Sequence, residues 1–208
     1  MRTSITISTL LFCIAGIMAQ DIPGKFRIGL SAGFENNMGP DRMAFDRYTG
    51  YSANYDKTNY RFGLNLEYAL KKDLTINTAI GYSNRDFTGT YFCDVCDFEV
   101  PPGPEEVDFR FIEIPLTLKY YFLPGKIRLS LEAGLNNLLP LNDTDYYGIT
   151  DNSWAAGLTI GGGLEYNLSR KLALRLITDY SNGITNLYKE SDFKIKSLNF
   201  GIGIIKKI

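Results

Sequence analysis

From residue 26 onward the chain alternates between apolar and polar positions with a period of two, in eight separate segments. In the first, Phe26, Ile28, Leu30, Ala32 and Phe34 are interleaved with Arg27, Gly29, Ser31 and Gly33. The same beat recurs over 60–68, 74–82, 112–120, 127–135, 156–164, 172–180 and 196–204. Of the forty positions in the apolar phase, thirty-six are apolar, the exceptions being Thr78, Gly162, Thr178 and Lys196. Among the thirty-two interleaved positions only Ile177 is a large aliphatic. Successive side chains of a strand point to opposite faces, so each segment is a strand with one apolar and one polar face. The pattern predicts an all-β protein of eight strands.

The polar face decides which way the sheet is turned. Ten of its thirty-two positions are glycine, a poor residue for a solvated strand but a suitable one where space is short inside a narrow barrel. It also carries matched charges. Arg27, Arg61, Lys119, Arg128 and Arg175 stand against Glu67, Glu113, Glu132, Glu165 and Asp179. Balanced charge suits an enclosed ionic network, because an unpaired buried charge is costly. The apolar face is therefore expected to meet lipid. The alternative is a soluble ligand-binding barrel with the apolar face inward.

Segment lengths, aromatic residues and connections fit the membrane reading. About nine to eleven tilted residues cross a bilayer core. Phe34, Tyr60, Tyr82, Trp154 and Tyr180 are placed on one rim, and Phe26, Tyr68, Tyr120, Phe122 and Tyr166 on the other. Two such girdles are what membrane interfaces favour. Short turns (Leu70–Asp73, Leu123–Gly125, Asn167–Arg170) alternate with long loops (35–59, 83–111, 136–155 and 181–195). That alternation puts the turns and both termini on one side, read as periplasmic, with the long loops outside. An even strand number closes the sheet and leaves no edge in lipid. The expected architecture is an eight-stranded, antiparallel, closed, up-and-down transmembrane β-barrel, monomeric, in a bacterial outer membrane.

The first 19 residues, MRTSITISTLLFCIAGIMA, read as a signal peptide, with Arg2 before an apolar stretch and Ala19 before Gln20. Residues 20–208 then form one barrel domain. Cys93 and Cys96 remain, and in an oxidising compartment this C-x-x-C reads first as a disulfide. Two thiolates without further Cys or His do not close a zinc site. The surrounding acidic residues would raise a thiol pKa, which disfavours a redox-active pair.

Composition narrows the function further. Lys and Arg number 22 against 23 Asp and Glu, so no basic excess points to nucleic acid. Aromatics at 13% argue against disorder. The chain has no histidine, which removes Ser-His and Cys-His nucleophiles and His-metal sites. No enzymatic activity, catalytic residue, cofactor or metal is expected. The interior of eight strands is filled by its own side chains, so an aqueous pore is not expected either.

The fourth segment reads FRFIEIPLTLKYYF. Its Glu113-Ile114-Pro115-Leu116 stretch, followed by Lys119 and Tyr120, resembles a strand of the outer-membrane β-barrel family widespread in Bacteroidota, including PorT-like proteins. The last segment departs from the common outer-membrane ending, finishing Ile205-Lys206-Lys207-Ile208 without a terminal aromatic. The resemblance implies an outer-membrane barrel and, through its PorT-like members, a role in an envelope secretion or assembly machine. Pro115 cannot donate to a ladder and marks a bulge or irregular pairing. Glu113 is either a conformational or partner-binding site, or an interior charge paired with Arg175 or Arg128.

The outer loops hold what remains. Loop 83–111 has Asp94, Asp97, Glu99, Glu105, Glu106 and Asp108, read as a solvated acidic loop or as calcium ligands. Loop 35–59 interleaves Tyr48, Tyr51 and Tyr55 with Gly, Asn and Asp, either a recognition surface or ordinary loop composition. The expected function is a non-enzymatic membrane anchor displaying its loops to an envelope or surface partner through 35–59 and 83–111, in contact with outer-membrane lipid.

Overall fold

The computed structural model describes residues 26–44, 46–100, 102–122, 125–141, 154–187 and 193–208. The leader expected over 1–19 lies outside the described residues. Twelve strands appear among those described. They are β1 (Phe26–Met38), β2 (Arg42–Ala44), β3 (Thr49–Asn54), β4 (Asn59–Ala69), β5 (Leu74–Asn84), β6 (Phe87–Cys93), β7 (Pro104–Val107), β8 (Arg110–Tyr121), β9 (Ile127–Pro140), β10 (Ala155–Asn167), β11 (Leu172–Gly183) and β12 (Lys196–Lys207). Eight of them close into an antiparallel barrel in the order β1-β12-β11-β10-β9-β8-β5-β4. Each barrel strand thus pairs with its sequence neighbours in the barrel, and β1 closes the ring against β12, from Arg27 opposite Lys207 to Met38 opposite Lys196. Closure satisfies every ladder without an edge, as hydrocarbon demands.

The apolar phase points outward. Leu30 is 61% exposed, Leu158 55% and Ile202 64%, while the intervening Glu67, Glu113, Lys119, Glu165 and Arg175 are buried. Glycines make the crowded lumen possible. A Cβ on Gly33 would sit 2.8 Å from Asn199 Oδ1, and one on Gly161 would sit 2.7 Å from the Asp179 Cβ. Pro115 interrupts the ladder between β5 and β8. Pairing stops at Thr78–Leu116 and resumes at Gly81–Glu113 in unchanged register, so the proline opens a gap and not a bulge. Thr78 Oγ1 donates to the freed Pro115 carbonyl at 2.9 Å.

The structure differs from the sequence reading at the outer end. The segments 35–59 and 83–111 are not plain loops. Strand β1 continues to Met38 and β8 begins at Arg110, and between them β2, β3, β6 and β7 form a second sheet, ordered β2-β3-β6-β7. Short runs of alternation carry it. Met43 faces Tyr51 across β2–β3, Tyr51 faces Tyr91 across β3–β6, and Phe87 faces Val107 across β6–β7. These runs are too brief to stand out beside the longer barrel segments.

An arginine placed at Leu30, Leu116 or Leu158 is expected to cost about 2–4 kcal/mol near the bilayer midplane. Urea unfolding from lipid vesicles measures it. Unchanged midpoints at all three positions would mean that this face does not meet hydrocarbon.

Candidate functional site: the sealed lumen and its outer cap

The lumen is a column of charge in two clusters. Toward the turn end, Glu67 accepts from Lys119 at 2.8 Å and from Arg175 at 2.7 Å. Lys119 also lies 3.1 Å from Glu132. Glu165 gathers Arg175 at 2.9 Å, Arg27 at 3.3 Å, Arg128 at 3.5 Å and Lys207 at 3.8 Å. The Tyr121 hydroxyl accepts from Arg175 at 2.8 Å and donates to Glu165 at 3.1 Å. Its ring lies beneath the Arg128 guanidinium, 3.7 Å from the ring centre.

Toward the loop end, Arg61 bonds Asp179 at 3.1 Å and reaches Glu113 at 3.4 Å. Arg85, only 1% exposed, bonds Glu113 and lies 2.9 Å from Glu35. This corrects the partner expected for Glu113, which pairs with Arg85 and Arg61 and with neither Arg175 nor Arg128. Sequence reasoning missed Arg85 and Glu35 because each sits just beyond the counted segment. Carrying the odd-numbered beat of the first strand one step past Gly33, to Glu35, would have found that residue.

Between the clusters lies a cavity of about 60 Å³, lined by Asn65, Asn77, Thr117 and Thr159 among others. It has room for about two waters at about 30 Å³ each.

Above the ion pairs the lumen turns apolar. Phe109, Phe111, Leu138 and Ala155 pack with Leu187, Phe193 and Ile195, and with the cap residues Met43, Tyr51, Phe87 and Val107, in one cluster. Ring centres run from Tyr55 to Phe87 (5.6 Å), Phe87 to Phe109 (5.6 Å) and Phe109 to Phe111 (6.2 Å). Burial beside Asp41 pushes the Tyr55 phenol up to about 12. Burying each such large apolar side chain is worth about 1.5–3 kcal/mol, enough to hold the cap over the mouth. Asp86 ties the cap to the barrel. Its carboxylate accepts from the Phe109 amide at 2.9 Å and Asn84 at 2.7 Å, and its carbonyl accepts from Asn59 at 3.0 Å and Asn37 at 3.2 Å.

Cys93 and Cys96 stand side by side at the end of β6, with Cα atoms 5.3 Å apart. The nearby acids go to separate partners. Asp94 pairs with Arg42 at 2.7 Å, Glu106 with Lys57, Asp108 with Arg110 at 3.6 Å, and Glu105 accepts from the Tyr51 hydroxyl. Among the described residues no three acidic or cysteine side chains converge as a metal site would require. The tip of this hairpin bears exposed apolar side chains, with Val95 68% and Val100 79% exposed and Phe98 beside them.

A closed barrel with lipid-facing aliphatics defines the class, and the sequence places the chain within it. The profile of the family described as Outer membrane protein beta-barrel domain matches residues 5–205, and the chain belongs to that family. It is an outer-membrane β-barrel protein. No curated protein matches the chain. Among solved structures it is similar to the outer membrane protein OprG from Pseudomonas aeruginosa, at 15% identity and a TM-score of 0.56, covering 90% of this chain and 99% of that one. It is also similar to Neisserial surface protein A, at 14% identity and a TM-score of 0.54, covering 88% and 97%. At these identities the likeness is one of fold.

Replacing Arg85 with Leu leaves Glu35 buried without its ion-pair partner and Glu113 with Arg61 alone, and is expected to cost about 3–5 kcal/mol. Adding Glu35→Leu should recover much of that loss. Unfolding midpoints in vesicles check both, and additive losses in the double variant would deny the coupling.

Proposed function

We propose that this protein is a non-enzymatic anchor whose barrel holds a rigid extracellular sheet for recognition by an envelope or surface protein. In this reading residues 1–19 are removed on export, both termini face the periplasm, and the barrel works as a monomer. The Cys93–Cys96 disulfide staples the end of the hairpin. One observation carries the reading. The lumen is filled by ion pairs and capped by an apolar cluster, while the hairpin between β6 and β7 projects Val95 and Val100 into solvent, with Phe98 packed edge-on against Tyr91. Apolar side chains at a braced, exposed tip are expensive unless something covers them. The sheet beneath them supplies preorganisation, which lowers the entropic cost of binding.

The role in a secretion or assembly machine, implied by the PorT-like resemblance, would put the partner on the barrel wall or the turns. The two readings separate by position. A photo-crosslinking residue at Val100 is expected to capture a protein partner in living cells, and one at Lys72 or Arg170 is not. Capture from the turn positions alone would contradict loop display and favour the machine.

A further inference from the structure

We propose that the turn end of the barrel is a collar that binds the phosphate headgroups of anionic membrane phospholipids. The inference rests on residence in a membrane and is independent of the display role. The turn between β4 and β5 carries Lys71 and Lys72, that between β8 and β9 carries Lys126, and that between β10 and β11 carries Arg170 and Lys171. The end of β12, beside the start of β1, carries Lys206 and Lys207. Every connection around this rim therefore presents at least one cation. Lys207 turns inward toward Glu165, and against the other six stands only Asp73 among the described residues of these connections.

Composition does not explain the bias, because the whole chain has 22 basic and 23 acidic residues. The turn end is the more basic of the two, although Arg42, Lys57 and Arg110 stand at the loop end, paired with acids. The hairpin 93–108 at the opposite end holds six acids and no base. Ordinary solvated turns would mix the signs.

The cations also sit at the right depth. Lys206 continues the outward row of Ile202 and Ile204 and stands opposite Ile28 and Leu172. Its stem thus lies along the apolar wall while its ammonium reaches the interface. The Lys126 ammonium lies 5.1 Å from the centre of the Tyr166 ring, at the level where Tyr side chains mark the headgroup region. No acidic side chain among the described residues forms an ion pair with Lys71, Lys72, Arg170, Lys171 or Lys206. Their charge is available to a ligand.

The lumen behind the collar adds to the field. Its turn-end cluster sets Arg27, Lys119, Arg128 and Arg175, together with Lys207, against Glu67, Glu132 and Glu165. This surplus of positive charge is screened little because it is buried. Headgroup phosphates are the anions that a membrane supplies in a plane at this height.

The test folds the full mature chain into nanodiscs of mixed phosphatidylglycerol and phosphatidylcholine, then counts retained lipids by native mass spectrometry. Phosphatidylglycerol should be enriched, and the enrichment should fall about fivefold for each collar charge removed at low ionic strength. The quadruple variant Lys71→Gln, Lys72→Gln, Arg170→Gln and Lys171→Gln should abolish it, while Lys57→Gln at the far end should leave it intact. If the quadruple variant does not fold, Lys71→Gln with Lys72→Gln in the single β4–β5 turn reports the same effect in part. Equal retention of the two lipids, or enrichment unchanged in a folded collar variant, would overturn the proposal. Displacement of the lipid by millimolar inorganic phosphate would also overturn it, since it would assign the site to a free ion.

Discussion

Hydrocarbon tolerates no unpaired polar group, and this one constraint organises the molecule. It forces the backbone into a closed ladder and sends the charged side chains along the middle of the strands into the lumen, leaving outward charges such as Lys206 to the strand ends. Once there, the charges must largely satisfy one another, because most of them are buried from bulk water. Glu67 and Glu165 each serve several cations from different strands, and Arg175 bridges the two carboxylates. Such pairs add little net stability over an apolar filling, but breaking one is severe. Their contribution is register. A slip of one residue along any strand would put these charges in lipid and the leucines in the lumen.

The outer end solves a different problem. Strands β1, β9 and β10, of 13, 14 and 13 residues, run beyond the length needed to cross the bilayer, and their outer ends enter water. There the lumen need no longer be ionic, and it becomes a conventional apolar core. Phe109, Phe111 and Leu138 rise from the barrel, and Met43, Tyr51 and Phe87 descend from the second sheet to meet them. The cap is thus continuous with the barrel interior and not a separate loop resting on it. Asp86 and its five hydrogen bonds fasten the junction. A plugged lumen and a braced cap leave the exposed hairpin as the part of the molecule best shaped to meet a partner.

The barrel was legible because its signal is long and repeated. Eight stretches of strict alternation, with glycine and paired charges on one phase, admit few architectures. The cap was harder to see because its strands are short. Strand β2 has three residues and β7 four, and the pairing that joins the two hairpins, β3 with β6, spans the whole of β4 and β5. Alternation over three residues cannot be told from chance. The lumen was read in part for a related reason. Charges within the counted segments were found, whereas Arg85 and Glu35 lay just past the boundaries. The partners of Glu113 depend on barrel stagger, which periodicity within one strand does not report. Pro115 shows the same limit. Its inability to donate was plain, but only the pairing of β5 with β8 distinguishes a gap from a bulge.

The orientation of the wall is most directly tested by spin labels placed one at a time along β9 in vesicles, with collisions against oxygen and against a water-soluble nickel complex compared. Labels at Leu129, Leu131 and Leu135 should be mobile and reached by oxygen, while those at Ser130, Glu132 and Asn136 should be immobile and shielded from both. The account fails if the leucine positions prove immobile and packed while the charged positions meet the nickel complex.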